Sequence, residues 1–141
     1  MTLTPVNPIE TLVTYLRAQS ALSGVNIDTK HKYGEGWDAL TDASIILVPS
    51  GGTVDRYAPI LDLVLEVWGY AATQYAAVEL WGDLVGVARA TNREPVTVTG
   101  ANVALVYSFQ QESGPNLVWD DVVRLDVCNS MFSARLGEVA T

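Results

Sequence analysis

Two runs of alternating residues near the C-terminus place the strongest limit on the fold. Val96 and Val98, then Val103, Leu105, Tyr107 and Phe109, alternate mostly with Thr, Ala and Ser. After residues 110–116, centred on Ser113-Gly114-Pro115, alternation resumes with Leu117, Trp119, Asp121, Val123, Leu125 and Val127 on one side. Val118, Asp120, Val122, Arg124 and Asp126 fall on the other. A period of two is the mark of a strand with one face inward, and Ser-Gly-Pro is turn chemistry. The pattern predicts a long hairpin, with Gly100 marking a bulge or a break between shorter strands. A two-stranded hairpin is marginal in water, so the rest of the chain must supply strands or helices to cover it.

It offers both. Asn7 can cap a helix whose first residue is Pro8, with Glu10 in the capping-box position and Ile9, Leu12, Val13 and Leu16 as its apolar stripe. Gly24 is expected to end that helix. Val25 to Tyr33 alternates weakly and leads into a loop, Gly34-Glu35-Gly36-Trp37-Asp38. The apolar run Ala43 to Val48 reads as a short buried strand, stopped by Pro49-Ser50-Gly51-Gly52. From Ile60 to Tyr70, Leu61, Leu63, Leu65 and Val67 oppose Asp62, Val64, Glu66 and Trp68, which predicts another strand. Thr73 can cap a second helix with Ala77, Leu80, Trp81, Leu84, Val85 and Ala88 on one stripe. Gly82 and Gly86 lie inside it, a spacing that permits close backbone packing, and residues 92–95 end it. Residues 129–141 show no clear period. The expected fold is α+β: a mainly antiparallel sheet of four to five strands, with two helices packed on one face, forming a single domain over residues 1–141.

Charge removes several functional classes. Eight Lys and Arg against sixteen Asp and Glu leave a net charge of −8. Duplex binding depends on neutralising phosphates, so specific nucleic-acid binding is not expected. Only 17% of residues are charged while 49% are hydrophobic, and an apolar chain so poor in charge is expected to cover part of its surface with other subunits. The alternative is a monomer with a large core. No run suits a transmembrane helix, and MTLTPVNPIETL has neither the basic nor the apolar region of a signal peptide.

Catalytic and metal-binding constellations are not evident. His31 and Cys128 are the single residues of their types, which excludes an internal disulfide and multi-thiolate zinc sites. His31 stands between Lys30 and Lys32, and Cys128 ends an apolar strand, so the two are not expected to act as a pair. Asp120 and Asp121 are neighbours on a predicted strand and point to opposite faces. Ser50-Gly51-Gly52 lacks the Lys-Ser/Thr ending of a phosphate loop and reads as a plain loop. Among the tryptophans, Trp81 is expected in the core. Trp37, Trp68 and Trp119 are candidates either for an interface or for internal packing.

The order of pieces resembles the small tail terminator, or tail completion, proteins of long-tailed bacteriophages. A short first helix (ETLVTYLRAQSALSGV) and an early strand and loop precede ASIILVPSGGTVDRYAPILDLVLEVWGY. The helix TQYAAVELWGDLVGVARAT and the hairpin ANVALVYSFQQESGPNLVWDDVVRLDV, with its Ser-Gly-Pro turn and Trp-Asp opening, complete a correspondence over nearly the whole chain. The resemblance implies a non-enzymatic virion protein without cofactor or metal, assembled in the host cytoplasm. It implies a hexameric ring that caps the tail tube, stops its growth and joins tail to head. The implied partners are further copies of the chain, the tail tube protein and a stopper or adaptor protein of the neck. DNA would pass through the bore, which a charge of −8 per subunit suits.

Ring closure joins different patches on the two sides of a subunit. The expected patches are the loop at 49–57 (Pro49, Ser50, Gly51, Gly52, Arg56, Tyr57), the hairpin tip at 110–119 (Ser113, Gly114, Pro115, Trp119) and the tail at 129–136 (Met131, Phe132). The nearer alternative is another neck component, a head-completion or stopper protein, or a minor tail protein. The farther one is an enzyme or ligand-binding domain.

Overall fold

The computed structural model describes residues 7–29, 43–54, 60–98, 103–120 and 125–138. Asn7 starts helix α1 (Pro8–Arg17), its Oδ1 accepting from the backbone N–H groups of Ile9 and Glu10 at 3.0 and 3.1 Å. Two donors that the first turn leaves unpaired are thereby satisfied. The helix stops at Arg17, earlier than expected: a 3₁₀ turn (Ser20–Leu22) follows, and Gly24, at φ 79°, closes that turn instead. The guanidinium of Arg17, the last residue of α1, donates to the Ile27 carbonyl at 2.7 and 3.1 Å. That contact ties α1 to strand β1 (Asn26–Asp28).

The remaining elements are β2 (Ser44–Val54), β3 (Ile60–Tyr70), α2 (Gln74–Ala90), β4 (Glu94–Thr97), β5 (Val103–Asp120) and β6 (Leu125–Glu138). They form one sheet in the order β1-β2-β3-β6-β5-β4. The class is α+β, but the sheet has six strands rather than four to five, and it is mixed, since β1 lies parallel to β2 while the other neighbours are antiparallel. Strand β1 has three residues, too few to show a period, and β6 occupies most of the stretch that showed none.

The hairpin is also longer than the sequence predicts. Residues 117–120 complete β5, and the return strand begins at Leu125; Leu117 pairs with Cys128, Val118 with Val127 and Asp120 with Leu125. The uninterrupted odd–even pattern across 117–127 does not correspond to one face: Leu117 stands opposite Cys128 and Trp119 opposite Asp126, so odd-numbered residues of β5 share a face with even-numbered residues of β6. Ser113-Gly114-Pro115 is therefore not a turn but a bulge: Ser113 faces Met131 and Asn116 faces Asn129, three steps against two. Gly114 has φ 99°, and a Cβ there would lie 2.8 Å from Ser130 Cβ and 3.0 Å from the Asn129 carbonyl oxygen. Pro49-Ser50-Gly51-Gly52 likewise lies within β2 across a bulge between Pro49 and Gly51, not in a loop.

One sheet face carries the core. Ile45 and Leu47 of β2, Leu63, Leu65 and Val67 of β3, Phe132, Ala134 and Leu136 of β6, and Val106 and Phe109 of β5 join Leu12, Tyr15 and Leu16 of α1 and Leu80, Leu84, Val85 and Ala88 of α2 in one cluster. Phe109 and Phe132 stack at 4.8 Å between centroids. Tyr15 Oη and Thr91 Oγ1, 2.7 Å apart, link α1 to the end of α2. Trp81 is half-buried against this core, whereas Gly82 and Gly86 are solvent-exposed, with nothing within 4 Å of an added Cβ. Their spacing therefore brings no backbone close within the subunit. The other face bears a small cluster of Ile46, Tyr70 and Val127 with Trp68 against it.

Candidate assembly surface

The two outer strands, β1 and β4, are short and cover only part of their neighbours β2 and β5. Strand β1 pairs with β2 at residues 44–46, and β4 pairs with β5 at residues 103–106. Among the described residues, the outer edges of β2 from 47 and of β5 from 108 have no strand beside them. Pairing across β3 and β6 puts these two open stretches on common rows. One row runs Thr53, Asp62, Arg135, Ser108, and another runs Val48, Glu66, Met131, Ser113. Three strand spacings, roughly 14 Å, separate the edges.

Several exposed apolar side chains lie on or near these strands, and Tyr75 (75%) is exposed at the start of α2. Among the described residues, Leu117 (45%), Val118 (39%) and Trp119 (55%) are exposed near the end of β5, and Val48 (36%) and Val64 (37%) on β2 and β3. Three consecutive exposed apolar residues put area on both faces of one strand. Around them the backbone is fixed. The Tyr70 hydroxyl donates to Asp120 Oδ2 at 3.3 Å, Gln111 Nε2 donates to the Gly114 carbonyl at 2.8 Å, and Ser133 donates to Glu112. On the opposite edge, Ser50 Oγ donates to the Val64 carbonyl at 3.3 Å. A Cβ at Gly52 would stand 2.5 Å from the Asp62 carbonyl oxygen, so this close crossing of β2 and β3 requires glycine.

The residues expected at an interface separate into distinct groups. Pro49, Ser50, Gly51 and Gly52 are exposed on the β2 edge, while Ser113, Gly114, Pro115 and Trp119 are exposed on β5. Met131 is half-buried, in register with Ser113 and Glu66. Phe132 is fully buried against Phe109, so its side chain belongs to the core and not to an external surface. Arg56 and Tyr57 lie outside the described residues, as do His31, Trp37 and Asp121. Leu117 and Val118 fall within the expected patch at 110–119 without having been singled out in it, and Val64 lies on the face that also carries Asp62 and Glu66. Sequence reasoning missed Val48, which ends an apolar run read as a buried strand.

The remaining candidates take structural roles. Cys128 is buried, and desolvation pushes its thiol up, away from the reactive thiolate. Asp120 anchors Tyr70. Among the described residues, no three His, Cys, Asp or Glu side chains are grouped to hold a metal, and no helix is long and apolar enough to cross a membrane. No protein-family model matches this sequence, and no curated protein matches it.

Proposed function

We propose that the chain is a ring-forming structural protein of a long-tailed phage virion. In this reading six copies close into a hexamer that caps the tail tube, ends its growth and presents the opposite rim to the stopper or adaptor protein of the head. The observation that supports it is the apolar run at residues 117–119, exposed at the end of β5, with exposed Val48 on β2 at the other side of the sheet, on the row of Ser113. A cyclic assembly joins unlike patches from the two sides of each subunit, and this sheet has two such sides. Exposed aromatic and aliphatic side chains in sequence are the composition of an interface centre. The order of elements that resembles tail terminators supplies the virion setting.

Light scattering on the purified chain, with negative-stain images of the same sample, tests the reading. The expected result is a ring with a mass of roughly 91 kDa, six chains of 15.2 kDa. Replacing Leu117, Val118 and Trp119 together by Ser is expected to reduce that mass to a monomer's while the thermal melt remains cooperative. If the chain is monomeric alone, recruitment to the ends of purified tail tubes sustains the proposal. A monomer that ignores tubes overturns it.

A further inference from the structure

Beside the open part of β5 lies a groove of about 390 Å³, lined by Val85, Ala88 and Arg89 of α2, by Thr91, and by residues 108–111 of β5. Its position follows from how the chain enters β4. The Arg93 N–H donates to the Tyr107 carbonyl at 3.2 Å, the last rung on that side of β5 among the described residues. Arg93 itself has φ 51°, a left-handed residue that turns the preceding chain out of the lane and up into α2. From Ser108 onward the lane that β4 occupied is vacant among the described residues. Residues 108–111, between the register shifts at 106/108 and 111/113, pair with residues 135–132 of β6 one for one and contain no proline. Phe109, Val85 and Ala88, all largely buried in the core, form the groove's apolar lining, with exposed Arg89 beside them.

Arg89 is the cation beside this groove. Among the described basic residues, Arg17 donates to the Ile27 carbonyl, Arg135 pairs with Asp62 and Arg93 lies over the Tyr107 ring. Arg89 makes none of these contacts, in a chain of net charge −8. An open strand edge flanked by a helix and a cation is suited to an added extended segment. Main-chain bonds supply affinity, and alternate side chains enter the groove.

We propose that this groove binds an extended segment of a partner protein by strand addition to β5 at residues 108–111. An aliphatic side chain of that segment rests on Val85 and Ala88, and a carboxylate two residues away meets Arg89. A second copy's β2 edge is the poorer occupant, because it carries Pro49 and a bulge and its residues 48–53 contain no acid. The inference stands apart from the ring, since a monomer retains the groove.

The test uses the full chain, isotope-labelled, and a fluorescent octapeptide with blocked ends in which valine and glutamate share one face. The expected result is saturable binding, with amide shifts centred on residues 108–111 and 89. Arg89→Glu is expected to weaken binding about tenfold or more, Arg89→Lys to retain most of it, and a lysine-for-glutamate peptide to fail. Arg89 is exposed, so an unchanged melting temperature verifies the fold of both variants. Absence of saturation up to about 1 mM peptide, shifts mapping elsewhere, or equal affinity in Arg89→Glu overturns the proposal.

Discussion

The two halves of β5 share a backbone, a partner strand and an alternating pattern, yet their side chains have opposite fates. Ala104, Val106 and Phe109 are almost wholly buried, while Leu117, Val118 and Trp119 are about half exposed. Their partners on β6 do not differ in this way: Val127 and Cys128, opposite Val118 and Leu117, are as buried as Phe132. Strand β6 lies between β3 and β5 and is paired on both sides over most of its length, from Cys128 on, whereas β5 is second from the edge and loses β4 after Val106. Alternation thus selects which residues could be buried. Position in the sheet decides which of them are.

The largest effect separates the halves directly. Phe132→Ala, beneath the stack with Phe109, is expected to destabilise the subunit by about 3–5 kcal/mol in urea unfolding. Trp119→Ser is expected to shift it by less than about 1 kcal/mol while reducing assembly. Equal losses would show that the far half is covered in the isolated subunit and would break the comparison.

The bulge that divides the halves comes next. Gly114→Ala places a methyl group against Ser130 and the Asn129 carbonyl at a positive φ, so a loss of about 1–3 kcal/mol is expected. Deleting Pro115 makes the strands equal in length between Ser113–Met131 and Asn116–Asn129, so the pairing beyond the bulge is expected to persist, read as amide shifts changed near residues 112–117 and 129–131 and retained at 125–127 and 132–138.

A smaller gain is expected on α2. Gly82→Ala and Gly86→Ala meet nothing in the subunit, and each is expected to raise stability by about 0.5–1 kcal/mol. If either also reduces the assembled mass, α2's outer face takes part in subunit contacts and the surface is larger than the two edges.

The smallest effect is a pH dependence. Burial raises the folded-state pKa of Cys128, so the folded chain holds the thiol proton more tightly than the unfolded chain does. That contribution to stability is complete below the unfolded thiol's pKa of ~8.5 and declines as pH rises past it. Cys128→Ala is expected to flatten this decline between roughly pH 8 and 9.5, and a thiol reagent is expected to label Cys128 only in denaturant.

Local chemistry was legible wherever one residue controls one bond. Asn7 and Thr73 cap the helices through their side chains, and the stripes of Leu12, Val13 and Leu16 and of Leu80, Leu84 and Ala88 are buried. The strand Ile60–Tyr70 lies where its alternation put it. The mistakes concern features that depend on a partner strand. Ser-Gly-Pro is turn chemistry in isolation, but opposite Asn129 and Met131 it becomes a bulge, and Pro-Ser-Gly-Gly in β2 does the same opposite β3.

The sequence by itself determined the class of fold, the helix starts and the apolar faces, because capping and periodicity act within a few residues of the chain. Only the tertiary structure decided that β6 is central and β5 peripheral, that Phe132 is core while Trp119 is exposed, and that Arg89 stands beside an open strand edge. Burial depends on what lies across the sheet, and residues many positions away supply that cover.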